Sequence, residues 1–359
     1  MPIPRKLIVT ALAIAIAALL VFSQRASIAS RILERGLEAN LGANQLTNLE
    51  DGLHMALCGA GGPMPAPNAS GPCVAVIAGE RLFVVDVGTD SPRNLGRMGY
   101  PPGDVEAVFL THFHSDHIDG LGELATLRWA AGDHNSPLPV FGPTGLERVV
   151  DGFNQAYSHD FVYRHEHHGD LVAPMVSAGM QANSFVEPEQ GISVKLINEP
   201  DLIVEAFTVK HAPVEPAVGY KFTYKDRTLL ISGDTVKSEN IEYFARNVDL
   251  LIHEALAPNL VGMMNEAAKK IGNPILEKIT IDIPDYHASP VDAAESARDA
   301  DVGHLVYYHI VPPLLVPGQK TLFLNGAEDI FSELTIGVDG VSFSLPANSE
   351  KIIKTRKAL

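Results

Sequence analysis

Short, mostly apolar runs recur over residues 53–58, 73–78, 82–87, 105–110 and 138–141. Runs of this length are predicted strands, in which successive side chains point to opposite faces with period two. Apolar residues recur at about 3.6-residue spacing over 119–131 and around 145–157, which predicts helices. A second set of strands begins near residue 192, over 192–197, 202–210, 218–224, 228–232, 250–253 and 305–308, with helices near 239–246 and 291–300. The pattern predicts an α/β chain with two sheets covered by helices. It is long enough for one such domain, expected over 48–346, with 347–359 as a C-terminal tail.

Two stretches depart from this pattern. Residues 158–191 hold His159, His165, His167, His168, Met175 and Met180 among scattered Gly and Pro, and are expected to form a lid or substrate loop. Three close histidines are more often solvated than ligating, so no metal is assigned to His165, His167 and His168. Residues 257–286, with Met263 and Met264, are the other candidate wall of a site, although an apolar stripe is more often core packing.

The run Thr111-His112-Phe113-His114-Ser115-Asp116-His117-Ile118-Asp119-Gly120 follows the apolar segment 105–110 and places four good metal ligands within six positions. Residues i and i+2 of an extended segment share a face, so His112 and His114 can reach one ion. Asp116 and His117 fall where a helix begins and can turn toward a second. A two-metal site needs further ligands from other strand ends. His211 ends the strand 202–210. Asp234 follows the strand 228–232 in Ser232-Gly233-Asp234-Thr235, where the glycine permits a tight turn. His309 follows the strand 305–308 and precedes Pro312 and Pro313. Singly each is as ordinary as any polar residue at a strand end; together they sit where α/β proteins build their sites.

This set resembles the metallo-β-lactamase fold hydrolases over roughly residues 52–345. Gly59-Ala60-Gly61-Gly62-Pro63, Val84-Val85-Asp86-Val87-Gly88, Leu251-Ile252-His253-Glu254-Ala255 and Tyr286-His287-Ala288-Ser289 resemble the branch holding ribonuclease Z and the related exported arylsulfatases. The resemblance implies an αβ/βα sandwich of two mixed sheets flanked by helices. It implies that His112, His114 and His211 hold one metal, that Asp116, His117 and His309 hold another, and that Asp234 bridges them. Asp86 would orient a ligand histidine, Glu254 would support His287, and His287 would protonate the leaving group. Asp116 would accept a proton from the attacking water. His253 and His304 have no counterpart and read as structural. The zinc β-lactamases place a cysteine ligand near where this chain has Asp234, so the chain resembles them less well. Two zinc ions are the implied cofactors, with manganese or iron also compatible with the donors. Such ions lower the pKa of a shared water from about 15.7 toward 7. Family relatives often pair, so a homodimer is the implied assembly.

Location and charge narrow the substrate. Arg5 and Lys6 precede residues 7–22, apolar throughout apart from Thr10, and Arg25 and Arg31 follow. Residues 1–31 are expected to be an export signal or membrane anchor. The apolar run is shorter than the roughly 20 residues of a spanning helix. Ser27-Ile28-Ala29 would suit a signal peptidase, but Arg25 stands in the spacer, so an uncleaved anchor with the catalytic domain outside the cytoplasm is preferred. Residues 1–31 contain four basic residues and no acid, so the remaining chain is more acidic than the net −16 of the whole. A polyanion normally meets a basic stripe, and no run of Lys or Arg is present. Nucleic acid is therefore a poor partner. Cys58 and Cys73 can pair in an oxidising compartment or pack as small apolar side chains. The expected function is hydrolysis of a small phosphate, sulfate or carboxylic ester by a dinuclear zinc site. Ribonuclease Z-type 3′-tRNA processing is the alternative, and a non-enzymatic metal-binding or redox module is a third.

Overall fold

In the computed structural model, which describes residues 4–41, 44–357 and 359, the strands form two sheets. In chain order they are β1 (Gly52–Gly59), β2 (Cys73–Ala78), β3 (Arg81–Val85), β4 (Val105–Phe109), β5 (Leu138–Pro143), β6 (Met180–Phe185), β7 (Val194–Asn198), β8 (Leu202–Thr208), β9 (Val218–Tyr224), β10 (Arg227–Ile231), β11 (Leu250–Leu256), β12 (His304–Val311), β13 (Leu334–Ile336), β14 (Val341–Pro346) and β15 (Ile353–Arg356). One sheet has the order β15-β14-β1-β2-β3-β4-β5-β6 and the other β13-β12-β11-β10-β9-β8-β7. Both mix parallel and antiparallel pairs.

The period-two pattern decides what each face meets. Leu53, Met55 and Leu57 of β1 point into the layer between the sheets, while Ala56 and Cys58 point into the layer under the helices. Between the sheets, Phe109 packs against Tyr220 at 5.4 Å and Phe222 at 5.5 Å between ring centroids. Fully burying each such side chain contributes roughly 1.5–3 kcal/mol. The Tyr220 hydroxyl donates to the Leu110 carbonyl at 2.6 Å, so a polar tip inside this layer is satisfied and ties β9 to the end of β4. On the far side of the second sheet, Leu230, Leu251 and Leu305 meet Ile241, Ala293 and Ala297 of the flanking helices. β11 lies between two parallel neighbours and is buried along its length, which accounts for its uninterrupted apolar start.

The chain divides into two compact units, Met1–Asn44 and Gln45–Leu359. In the first unit a single helix runs Arg5–Asn40, well beyond the apolar run 7–22, because good helix formers continue after it and Gly36 is its one glycine. The stretch Arg5–Glu38 is long and apolar enough to cross a membrane. Residues 1–3 of the expected anchor lie outside the described residues.

Residues 158–191 are not one loop. A helix runs Leu146–His168, since no glycine or proline interrupts 158–168 and Arg164 pairs with Asp160 one turn back at 2.6 Å; Gly169, at φ +67°, ends it. Residues 180–185 then add β6 in parallel to β5. Residues 347–359, expected as a tail, supply β15, antiparallel to β14. Its exposed Lys354 and Arg356 guard a sheet edge in the manner of charged edge strands; residue 358 lies outside the described residues.

Cys58 and Cys73 are joined in a disulfide across β1 and β2 with Cα atoms 5.0 Å apart, so the two thiols left open by the sequence are a crosslink. It closes the loop 59–72, and chain-entropy arguments value a closure of this length at about 3 kcal/mol. Replacing both cysteines by alanine is expected to lower the thermal midpoint by several degrees. An unchanged midpoint would show that the crosslink contributes nothing to stability.

Candidate metal centre

β4 leads into Thr111, and the chain stays extended to His114 (φ −60°, ψ 147°) before the short helix Ser115–Ile118 begins. His112 and His114 therefore converge, with Nε2 and Nδ1 3.0 Å apart, while Asp116 and His117 turn away on the helix. His211 follows β8. Asp234 follows β10 through Gly233, whose φ is +63° and where a Cβ would lie 2.7 Å from the Val218 carbonyl oxygen. His309 is not at a strand end as expected. β12 continues to Val311, and between β11 and β12 the pairing passes from Glu254↔Tyr308 to Ala255↔Ile310. His309 is the extra residue, at φ +44°, so a bulge re-aims its ring out of the ladder.

These turns bring all seven expected ligands together. His112, His114, His211 and Asp234 form one group, and Asp116, His117 and His309 another, each with ligand atoms close enough to hold one ion. Asp234 Oδ2 lies 3.8 Å from His112 Nε2, 3.8 Å from His211 Nε2, 3.4 Å from His117 Nε2 and 3.3 Å from His309 Nε2. One oxygen thus stands between both sets. Asp116 Oδ2 lies 3.2 Å from His309 Nε2 and 3.7 Å from His117 Nε2.

The rings are held from behind. His117 Nδ1 donates to Asp86 Oδ2 at 2.8 Å. The Thr111 hydroxyl donates to the same oxygen at 2.8 Å and lies 3.0 Å from His112 Nδ1, from which it can accept. One carboxylate therefore orients two imidazoles, the second through Thr111, and leaves both Nε2 atoms facing the centre. His211 Nδ1 donates to the Tyr286 carbonyl at 2.9 Å. Glu254 Oε1 accepts from His287 Nδ1 at 2.9 Å and from the backbone N–H groups of Thr235 at 3.1 Å and Ala288 at 3.2 Å, so it fixes the Asp234 turn and the His287 loop together. Sequence reasoning missed Thr111, the Tyr286 carbonyl and Asp339. The Asp339 carboxylate accepts the N–H groups of Ala60 and Ser70 at 2.9 and 2.8 Å, clamping the loop 59–72, where a Cβ on Gly62 would meet the His309 ring at 3.1 Å. Only the isolated Asp339-Gly340 turn signalled it.

Protonation matches the geometry. Burial holds His112 well below the ordinary histidine value, and burial also lowers His114 and His211, so three imidazoles are neutral with a lone pair to give. Burial would raise Asp234, but His309 and His117 hold it well below the carboxylate range. Burial opposes a charge on His117, yet Asp234 and Asp86 outweigh it and raise the ring, so two carboxylates favour a positive charge at Nε2, as a proton or a metal. His117 Nε2, His211 Nε2 and Asp234 Oδ1 are buried with no hydrogen-bond partner. Buried polar atoms are rarely left so, and neutral imidazoles facing a carboxylate are a donor set for divalent cations. The residues present fit the metal that the motif implies.

Two openings reach this centre. A polar one of about 870 Å³ runs between the loop 59–72 and Asp90, Arg97, Asp116 and Arg356. A narrower one of about 400 Å³ exposes His114, Asp116, Asp234, His287 and His309 beside apolar residues of the helices Pro258–Ile271 and Pro274–Asp282. The expected wall 257–286 lines this second opening, with Met264 in it, while Met263 faces out. Residues 158–191 line neither. His253 and His304 lie outside the cluster, bonded to the Glu254 carbonyl and the Thr335 hydroxyl.

Known proteins match at three levels. Residues 67–309 match the metallo-beta-lactamase superfamily. The ribonuclease Z of Mycobacterium bovis strain BCG is 32% identical over 291 residues, covering 80% of this chain and 96% of that protein, and the ribonuclease Z of Mycolicibacterium paratuberculosis is 30% identical over 290 residues, with the same coverage. Among solved structures, the short form of human tRNase Z superposes with a TM-score of 0.59 at 20% identity, over 82% of this chain and 99% of that one. The Bacillus subtilis metallo-beta-lactamase fold protein YhfI superposes with a TM-score of 0.55 at 19% identity, over 82% and 100%. With its two mixed sheets, its clustered histidines and aspartates and these relatives, the chain is a hydrolase that belongs to the metallo-β-lactamase superfamily, in the branch that holds ribonuclease Z.

Proposed function

We propose that the chain is a two-metal phosphodiesterase, with His112, His114 and His211 as ligands of one ion, Asp116, His117 and His309 as ligands of the other, and Asp234 as the bridge. The observation that carries this reading is His287, backed by buried Glu254, opening into the same cleft as Asp234 and His309, in a chain whose relatives, matched over nearly their full length, are ribonucleases Z. A protonated imidazole beside the two ion positions suits departure of an alkoxide, which a phosphodiester requires.

Two divalent cations, for which zinc fits the imidazole and carboxylate donors and manganese or iron are also suited, supply Lewis acidity and lower the pKa of a water. The chain supplies the rest. Asp116, held low by the His309 hydrogen bond against its burial, is ionised and accepts the proton of the attacking water. Glu254 keeps a proton on His287, and His287 gives it to the leaving oxygen. Asp86 and Thr111 keep the His117 and His112 rings aimed.

Two substrate readings follow. The relatives' names support RNA. The apolar cleft and the acidic balance of the chain support a small ester. The N-terminal helix serves as a membrane anchor in this proposal, with the domain outside the cytoplasm, where the Cys58–Cys73 disulfide is stable.

Turnover of bis(p-nitrophenyl) phosphate, p-nitrophenyl sulfate, p-nitrophenyl acetate and a precursor tRNA, compared under identical metal loading, tests the proposal. Phosphodiester cleavage is expected to exceed sulfate and carboxylic ester cleavage. Sulfate or acetate turnover without any phosphodiester turnover would refute it, and the tRNA arm decides between the two substrate readings.

A further inference from the structure

Resting on the phosphodiesterase reading, we infer that the narrower cleft seats a neutral, apolar alcohol arm, so that the substrate class is a small amphiphilic phosphodiester with one alkyl or aryl ester group. The cleft is continuous with the centre, because His114, Asp116, Asp234, His287 and His309 form one end of it. From there outward its walls are apolar: Met264, Leu276, Ile279 and Ile283 on the helical side, with Leu256 and Val311 at the base. Leu256 and Val311 are fixed in a small buried cluster, so this end is preformed and costs little ordering on binding.

Charge points the same way. No lysine or arginine lines the cleft among the described residues. The single anionic phosphate of a diester needs only the centre itself, whereas an RNA strand laid along this wall would bring several phosphates against Met and Ile with nothing to neutralise them. The volume of about 400 Å³ accommodates an arm of several carbons and not a folded polynucleotide. The apolar surface also continues past the rim, where Ile279 is 47% and Ile275 73% exposed, so a longer arm stays in contact with side chains as it leaves the cleft. About half of Ile279 and most of Ile275 lie outside the packing of the fold, and this apolar surface is open to an apolar ligand.

The test is kcat/KM for a homologous series of glycerol phosphodiesters bearing methyl, ethyl, propyl and butyl groups, followed by phosphorus NMR on the metal-loaded full-length protein. Burial of a methylene predicts a gain of roughly three- to fourfold for each carbon added. In I279N the gain per carbon is expected to fall to about half of that or less, and in the conservative I279L to persist. Ile279 is part-exposed, so neither change threatens folding. A flat or falling series in an enzyme that turns over the methyl ester would overturn the apolar arm and leave the phosphodiesterase reading intact. No turnover of any phosphodiester, including the nitrophenyl one, would overturn both.

Discussion

Asp234→Ala is expected to abolish turnover, with a loss larger than the roughly 10- to 100-fold seen when residues behind a metal ligand are changed, and to leave the protein folded. The reason is position. Asp234 Oδ2 stands 3.3–3.8 Å from imidazole nitrogens of both ligand groups, so its removal takes the shared negative charge from four histidines at once. The apolar core between the two sheets contains none of these five side chains, so the fold does not rest on them. Circular dichroism and the thermal midpoint of the apo form separate a lost centre from a lost fold. Turnover within tenfold of the parent would remove Asp234 from the centre.

His287→Ala is expected to lower kcat by about a hundredfold to ten-thousandfold on a diester with an alkyl leaving group, the usual worth of a positioned acid, and far less on a nitrophenyl diester, whose phenolate departs unprotonated. The pH profile carries the sign. Burial pulls the His287 pKa down, but the Glu254 charge and hydrogen bond outweigh it and push it up to about 9. In the proposed mechanism the acid is the protonated ring, so activity that needs it persists below that value and falls as pH rises through it; bound cations oppose the shift and move this limb to lower pH. Glu254→Gln removes the raising charge and leaves burial, so the alkaline limb is expected to move down toward the ordinary histidine value of 6.5. An unchanged alkaline limb in that variant would dissociate His287 from the proton transfer.

The part of this site legible in the sequence is the part written in local spacing. His112, His114, Asp116 and His117 share one short run, and the extended-then-helical geometry that splits them between two groups follows from residues 111–118 alone. Their partners were findable because each lies just after an apolar run in the sequence. What could not be read is what depends on pairing. That His309 faces the centre comes from one extra residue in β12 relative to β11, and a bulge leaves no mark in a single strand's composition. Thr111 and the Tyr286 carbonyl each touch a ligand ring through one hydrogen bond, and many threonines and every carbonyl offer as much. β14 was legible and missed: Val341, Phe343 and Leu345 are buried and alternate with Ser342 and Ser344. β6, with its polar Gln181, Asn183 and Ser184, exists because β5 offers an edge, so tertiary pairing overrides weak propensity there. The expectation of a small ester of unspecified acid rested on the acidic charge of the chain. The ribonuclease Z relatives move the reaction toward phosphodiester cleavage, while the apolar wall at 256–286 keeps the small-substrate argument alive in another form.

The most direct test of the account is the metal content of the purified protein after dialysis, by elemental analysis, beside that of the Asp234→Ala variant and of the chelated parent. Two equivalents of a divalent transition metal per chain, reduced in the variant and restored to the chelated parent together with turnover, is the predicted result. A parent that holds no stoichiometric metal after zinc, manganese or iron has been supplied, yet hydrolyses its substrate at full rate, would contradict it.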